Sequence, residues 1–316
     1  MSPSLPFVRG AFAELPKTPR VAHAYFDADA RTVAVTTSAL GQSRLHVRTM
    51  GAGPPMLLVH GLMTSGYSFR HVMAPLAEKH TLYVPDLPGA GRSAPPNAPL
   101  HAEALAELIV ALVDALGIRG GLVVGNSMGG YLTLRAALRD PEAFSAVVDV
   151  HSPGVPEPRL WALRGLLALP SISMLLGGLV AFDPRRWVHR NVHYRDESLK
   201  SLEEADEYGT PLATKAGRAA FASYLRDTLD PFAMRRFVEV LAARRAAGAA
   251  FPVPLALVYS TEDPMVPPRI GDALSELIPS AELVWMKDSS HFAHVDSPGR
   301  FVEIAERFFE RVAPGR

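Results

Sequence analysis

The strongest constraint on how this chain can fold is a strand and helix alternation that stops, leaves a long stretch without strands, and then resumes. Short apolar runs bounded by turn residues alternate with amphipathic segments. Met56 to Val59, Thr81 to Pro85, Gly121 to Val124 and Ala146 to Val150 read as strands, and Tyr67 to Lys79, His101 to Leu116 and Met128 to Arg139 as helices. Such a βαβ series implies a parallel sheet with helices on both faces. After Val150 nearly one hundred residues, to Ala250, carry helical patterns and no convincing strand. The alternation then returns with Pro254 to Tyr259 as strand, Pro268 to Leu277 as helix, Glu282 to Met286 as strand and Pro298 to Val312 as a last helix. The expected organisation is an N-terminal arm (1–30), a core in two parts (31–151 and 251–316), and a helical cap (152–250) inserted between them. Two β-rich runs between Arg31 and Met50 flank Gly41-Gln42, which predicts a hairpin turn at that pair and an antiparallel start to the sheet.

Within this frame, Leu122-Val123-Val124-Gly125-Asn126-Ser127-Met128-Gly129-Gly130 places a serine at a junction of strand and helix. A nucleophile at the tip of so sharp a turn needs glycine two positions to either side, because the two backbones nearly touch there. A phosphate-binding turn is the competing reading. It is disfavoured because Ser127 stands where a dinucleotide fingerprint needs its second glycine, and no Gly-Lys-Ser/Thr follows. A serine hydroxyl needs a base. His291, in Asp288-Ser289-Ser290-His291-Phe292 just past the last strand, is the candidate, with His294 the competitor expected to make a structural hydrogen bond. Asp263, in Ser260-Thr261-Glu262-Asp263-Pro264 after its own strand, is the carboxylate expected to orient the histidine. Asp149, near the end of Ala146 to Val150, is its rival. Donors for a developing oxyanion are expected from the amides of Met128 and of Leu62, the latter in a turn that Gly61 permits. His60 is expected to brace that turn.

Taken together, His60-Gly61, Asp86-Leu87-Pro88-Gly89-Ala90-Gly91-Arg92-Ser93, Gly125-Asn126-Ser127-Met128-Gly129-Gly130, Asp263 and Ser290-His291-Phe292 resemble the successive motifs of capped α/β-hydrolases, over roughly Leu45 to Arg311. The resemblance implies the α/β-hydrolase fold: a mostly parallel central sheet, helices on both faces and an inserted helical cap. It also implies that Asp86 braces its glycine-rich loop. Serine at position 127 separates the chain from the haloalkane dehalogenases and epoxide hydrolases of that family, which carry aspartate there. The Gly-Asn-Ser-Met-Gly-Gly string is similar to that of the meta-cleavage carbon–carbon hydrolases. The chain departs from them at His60-Gly61-Leu62-Met63, which lacks their extra glycines, and at Phe292, where many have tryptophan.

The resulting expectation is a serine hydrolase that cleaves an ester or thioester of a hydrophobic small molecule through an acyl-enzyme on Ser127, with no cofactor. Gly61, Trp161, Met174, Phe182 and Phe292 are the expected substrate contacts. A carbon–carbon bond hydrolase using the same three residues, and a non-catalytic ligand receptor on the same fold, are the alternatives. Other classes are excluded by composition and pattern. Thirty-two basic side chains balance 32 acidic ones, which gives no field for nucleic acid. The absence of cysteine excludes disulfides and thiolate chemistry. His189, His193 and Glu197 are spaced i, i+4 and i+8 like ligands on one helix face, but Arg185, Arg186, Arg190 and Arg195 crowd the segment and would repel a dication, so no metal site is expected. Leu160 to Phe182 is apolar enough to be tested as a membrane span. Arg164 and Pro170 interrupt it and predict two short helices with no stable membrane insertion. Met1 to Pro19 lacks an apolar run behind a basic start, which places the chain in the cytoplasm by default.

Overall fold

The structure is a computed structural model and describes residues 10–314; the first nine residues of the expected arm and the last two of the chain lie outside it. Eight strands form one sheet: β1 (Asp29–Thr37), β2 (Gly41–Met50), β3 (Pro55–Val59), β4 (Thr81–Pro85), β5 (Gly121–Asn126), β6 (Phe144–Val150), β7 (Leu255–Ser260) and β8 (Glu282–Met286). Their order is β1-β2-β4-β3-β5-β6-β7-β8. β2 runs antiparallel to its neighbours β1 and β4, and every pairing from β4 to β8 is parallel. The fold class expected from the sequence is therefore the fold observed.

Parallel strands buried on both faces alternate their side chains between two cores. On β3, Leu57 and Val59 enter one core while Met56 and Leu58 enter the other; Leu255, Leu257 and Tyr259 alternate with Ala256 and Val258 in the same way on β7. The helices follow in chain order: α1 (Arg70–Ala77), α2 (Ala102–Leu116), α3 (Met128–Arg139), α4 (Pro158–Leu167), α5 (Pro170–Phe182), α6 (Pro184–Asn191), α7 (Leu202–Ala213), α8 (Lys215–Ser223), α9 (Pro231–Ala246), α10 (Pro268–Leu277), α11 (Ala293–Asp296) and α12 (Pro298–Val312). α2, α3 and α10 cover one face through Leu105, Leu112, Tyr131 and Leu274. α1 and α12 cover the other through Val72, Leu76, Phe301 and Phe308. Helices α4 to α9 all lie between β6 and β7, as the strand-free stretch requires.

Two local expectations are corrected, at the hairpin turn and at the His189–Glu197 segment. The hairpin turn is Ser38–Leu40, with Thr37 paired to Gly41, so Gly41 begins β2 in a left-handed conformation (φ 64°) and does not form the turn. The arm is docked over its described part: the Leu202 and Glu203 amides donate to the carbonyls of Pro16 and Lys17, and Glu203 accepts from Tyr67 Oη at 2.7 Å and lies 2.9 Å from His23 Nε2. α6 ends at Asn191, before His193, so the supposed ligand face does not exist; His189 Nε2 lies 2.9 Å from the Gly10 carbonyl while His193 pairs with Glu197. The apolar Leu160 to Phe182 run is two helices, α4 and α5, meeting at 94°, and no single helix among the described residues is long and apolar enough to cross a membrane.

Candidate active site

His60, Asp86, Ser127, Asp263 and His291 each follow a strand of the sheet at its carboxyl edge, where the loops after parallel strands converge. Ser127 follows the central strand β5 and caps α3 with φ 55° and ψ −121°, a backbone geometry strained for any residue bearing a Cβ. The neighbours enforce it. The Ser127 amide donates to Val150 O at 2.7 Å, locking the turn to the end of β6. A Cβ on Gly125 would sit 2.7 Å from Gly130 Cα, and one on Gly129 would overlap the carbonyl oxygens of Val59 and His60. Glycine at these positions is thus a packing requirement of the elbow.

His291 arrives from the loop between β8 and α11. That loop is pinned on both sides: Ser260 Oγ donates to the Ser289 carbonyl, and Ser290 donates through both its amide and its hydroxyl to Asp296 Oδ2 at 2.7 Å. Asn126 Nδ2, one residue before the elbow serine, donates to the His291 carbonyl at 3.2 Å and ties this loop to β5. Asp263 lies beyond β7. Its Oδ1 accepts the amides of Met265 and Val266 (2.6 and 2.9 Å), which leaves Oδ2 facing His291 Nδ1 at 2.7 Å. Both side chains are buried. Burial opposes ionisation of Asp263, but the adjoining His291 outweighs it and holds the carboxyl below its ordinary range. With Nδ1–H donating to Asp263, His291 presents a lone pair on Nε2. Asp149, the rival acid, is inside β6; burial pushes it well above the carboxylate range, and its near contact is Tyr259 Oη at 3.5 Å. The structure brings Asp263, not Asp149, to His291.

Ser127, Met128, Leu62, His291 and Phe292 line one cavity of about 250 Å³. Leu160 and Leu163 of α4, Leu225, Leu229, Val266 and Ile270 are among its further apolar walls, and Glu157, Arg159 and Asn191 add polar groups to Ser127 and His291. Gly61 stands behind the serine; a Cβ there would lie 3.0 Å from Ser127 Cβ. Four expected substrate contacts, Gly61 among them, do not line this cavity, and only Phe292 does. Trp161 packs on Phe232 (4.6 Å between ring centres) with Arg235 over its ring, and Met174 and Phe182 are 77% and 93% exposed on α5. On α4 a step of one residue turns the side chain by about 100°, so the neighbour Leu160 faces the cavity and Trp161 does not.

The two bracing residues take the positions expected of them. His60 accepts the Leu87 amide on Nε2 at 2.9 Å, which places its proton on Nδ1, 2.8 Å from the Gly61 carbonyl; burial lowers its pKa to about 4. Asp86 accepts the amides of Gly66 and Arg92 at 2.8 Å each. His151 was not singled out in the sequence. It follows β6 directly, with φ 55°, is fully buried, and carries Nε2 3.9 Å from Asp263 Oδ2. Its position one residue past a strand end was the available signal. His151, Asp263 and His291 bring ligand-type atoms within 4.8 Å of one another. The 2.7 Å contact between two of them suits a hydrogen bond, whereas atoms sharing one ion at about 2.1 Å each would stand more than about 3 Å apart.

His294 is buried and stacks on Phe69 (4.8 Å, 29°), with neither ring nitrogen hydrogen-bonded among the described residues, which corrects the expected hydrogen bond. Burial, followed by the Arg70 guanidinium, lowers its pKa well below the ordinary value. The folded chain therefore keeps it neutral while the unfolded chain takes up a proton below about pH 6.5, so this group removes stability as pH falls, by up to about 1.4 kcal/mol per pH unit. In His294→Phe the fall in urea midpoint between about pH 7.5 and about pH 5 should be smaller than in the parent chain. An equal fall would show that the ring is protonated in the folded state.

The profile of the family described as alpha/beta hydrolase fold matches residues 54–298. The chain belongs to that family. It is 28% identical over 273 residues to the 2-hydroxymuconate semialdehyde hydrolase of Pseudomonas sp. (strain CF600), covering 84% of this chain and 90% of that one. Against the pimeloyl-[acyl-carrier protein] methyl ester esterase of Aeromonas hydrophila it is 26% identical over 280 residues, covering 83% and 98%. A thermophilic esterase from Thermogutta terrifontis shares the fold with a TM-score of 0.67 at 21% identity, covering 90% of this chain and 99% of that one.

Proposed function

We propose that this hydrolase cleaves an ester or thioester of a hydrophobic small molecule through an acyl-enzyme on Ser127. The reading is carried by one arrangement: His291 Nδ1 lies 2.7 Å from Asp263 Oδ2, while His291 and the elbow serine share a mainly apolar cavity. In this mechanism Ser127 Oγ bonds to the substrate carbonyl carbon as its proton passes to His291 Nε2. Asp263 stabilises the imidazolium. The amides of Met128 and Leu62 receive the oxyanion, and collapse expels the alcohol or thiol, which takes the proton from His291. Water then repeats the sequence on the acyl-enzyme and regenerates Ser127. Leu160, Leu163, Leu225 and Phe292 hold the acyl group, and helices α4 to α9 act as the cap that selects it.

A series of p-nitrophenyl esters of increasing acyl length tests the substrate class. Each added methylene buried in the cavity should raise kcat/KM about fourfold, from roughly 0.8 kcal/mol of transfer free energy, until the chain outgrows about 250 Å³. No dependence on acyl length would contradict an apolar acyl site. Hydrolysis of a carbon–carbon bond is the second reading, favoured by the 28% identity to a 2-hydroxymuconate semialdehyde hydrolase. Turnover of a vinylogous diketone exceeding that of every ester would establish it.

A further inference from the structure

α5 is apolar on all sides, and only one of its stripes is covered. Val180 is buried and Leu176 is partly so against the rest of the insert, whereas Met174, Leu175, Leu179 and Phe182 are exposed, together with Leu166 and Leu169 at the turn from α4. A helix without a polar face is ordinarily buried, so the outer stripe lacks its partner among the described residues. The stripe forms one wall of an open cleft of about 820 Å³, whose other wall carries Trp187, Arg186 and Arg190 of α6.

Charge distinguishes this face from the remainder of the molecule. The chain as a whole balances 32 basic against 32 acidic side chains, but α4 and α6 carry Arg164, Arg185, Arg186 and Arg190 toward this side, while Arg159 pairs with Glu157 at the cavity. Arg164, Arg185 and Arg186 make exposed or half-exposed ion pairs, which solvent weakens; Arg190 stands exposed at the cleft. Apolar side chains flanked by arginines and a tryptophan match the layered chemistry of an anionic lipid surface, acyl chains below and phosphates above. With 13 residues, α5 is about 20 Å long, too short for a hydrocarbon core of about 30 Å, so it suits lying in the interface and not spanning. A second copy of the chain is the poorer occupant, because a two-fold contact gathers both sets of arginines into one seam.

We propose that the α4–α6 face docks reversibly on anionic lipid membranes, seating Leu175, Leu179 and Phe182 among the acyl chains and Arg186 and Arg190 among the headgroup phosphates. α4 links this surface to the cavity: Leu160 and Leu163 line the cavity, and Leu166 and Leu169 are exposed at the docking face. A lipophilic substrate dissolved in the bilayer would meet the enzyme on that side.

The test is co-sedimentation of the full chain with sucrose-loaded vesicles of phosphatidylcholine alone or mixed with phosphatidylglycerol, followed also by tryptophan fluorescence. Binding is expected to the mixed vesicles, to weaken with salt, and to be about tenfold or more weaker in Leu175→Asp/Leu179→Asp and in Arg186→Glu/Arg190→Glu. Turnover of a short water-soluble ester should be unchanged in both variants, which also shows that they fold. Equal pelleting of parent and variants, or no binding to mixed vesicles, overturns the proposal. Dimerisation abolished by Leu175→Asp/Leu179→Asp, without vesicle binding, assigns the face to a second copy instead. Vesicle binding does not require turnover, so its failure leaves the assignment of Ser127 unaffected.

Discussion

Ser127→Ala is expected to lower kcat on an activated ester by about 10⁶-fold while leaving the folded structure and the cavity in place, with a residue of activity from the oxyanion donors and binding alone. The size follows from what the hydroxyl does. Without it no covalent intermediate forms, and His291 and Asp263 are left to activate water in a geometry built for an attached oxygen. Alanine suits the elbow poorly for the same reason as serine, since φ 55° strains both, so the exchange adds little strain of its own. The measurement is steady-state turnover of p-nitrophenyl esters with circular dichroism as the folding control. A loss of less than about tenfold would place the nucleophile elsewhere.

The second large effect separates two aspartates. Asp263→Asn should reduce kcat by about 10⁴-fold, because an amide favours the wrong tautomer of His291 and cannot stabilise the imidazolium. Its Oδ1 contacts to the Met265 and Val266 amides can be kept by the asparagine oxygen, which limits the structural damage. Asp149→Asn should cost far less than that in turnover. Burial already disfavours the charged form of Asp149, so asparagine replaces a group held toward neutrality, and the change is felt mainly in packing against Gly130 and Tyr259. Paired kinetic and urea-unfolding measurements on the two variants read the contrast. The opposite ranking of kcat in folded proteins would move the acid to β6.

Which features could be read from the sequence follows from how local their causes are. The elbow was legible because its small residues sit at fixed offsets from Ser127: Gly125 is needed by the close approach of Gly130, and Gly129 by the carbonyls of Val59 and His60 at the end of the neighbouring strand. The sheet was legible because fully buried parallel strands are short apolar runs between helical periods, and the convergence of Ser127, Asp263 and His291 follows from each lying just past a parallel strand. The cavity wall was not legible. Whether Leu160 or Trp161 faces the substrate depends on the rotation of α4 about its axis, which is fixed by packing against Phe232 and Arg235 more than seventy residues away. Apolar character alone drew attention to Met174 and Phe182, and the structure puts both on the outside. His151 offers only its place one residue past β6 as a signal, because its proximity to Asp263 depends on the fold setting β6 beside β7. The i, i+4 spacing of His189 and His193 does not place them on one helix face, since the helix ends between them.

The central claim is that Ser127 becomes acylated, and it is tested most directly by intact-protein mass spectrometry after treatment with a fluorophosphonate, with the adduct mapped by peptide sequencing. The account predicts one phosphonyl group per chain, on the peptide carrying Ser127, formed at a rate that falls with loss of Asp263 and absent from Ser127→Ala. A stoichiometric adduct on any other residue, or undiminished labelling of Ser127→Ala, would contradict it.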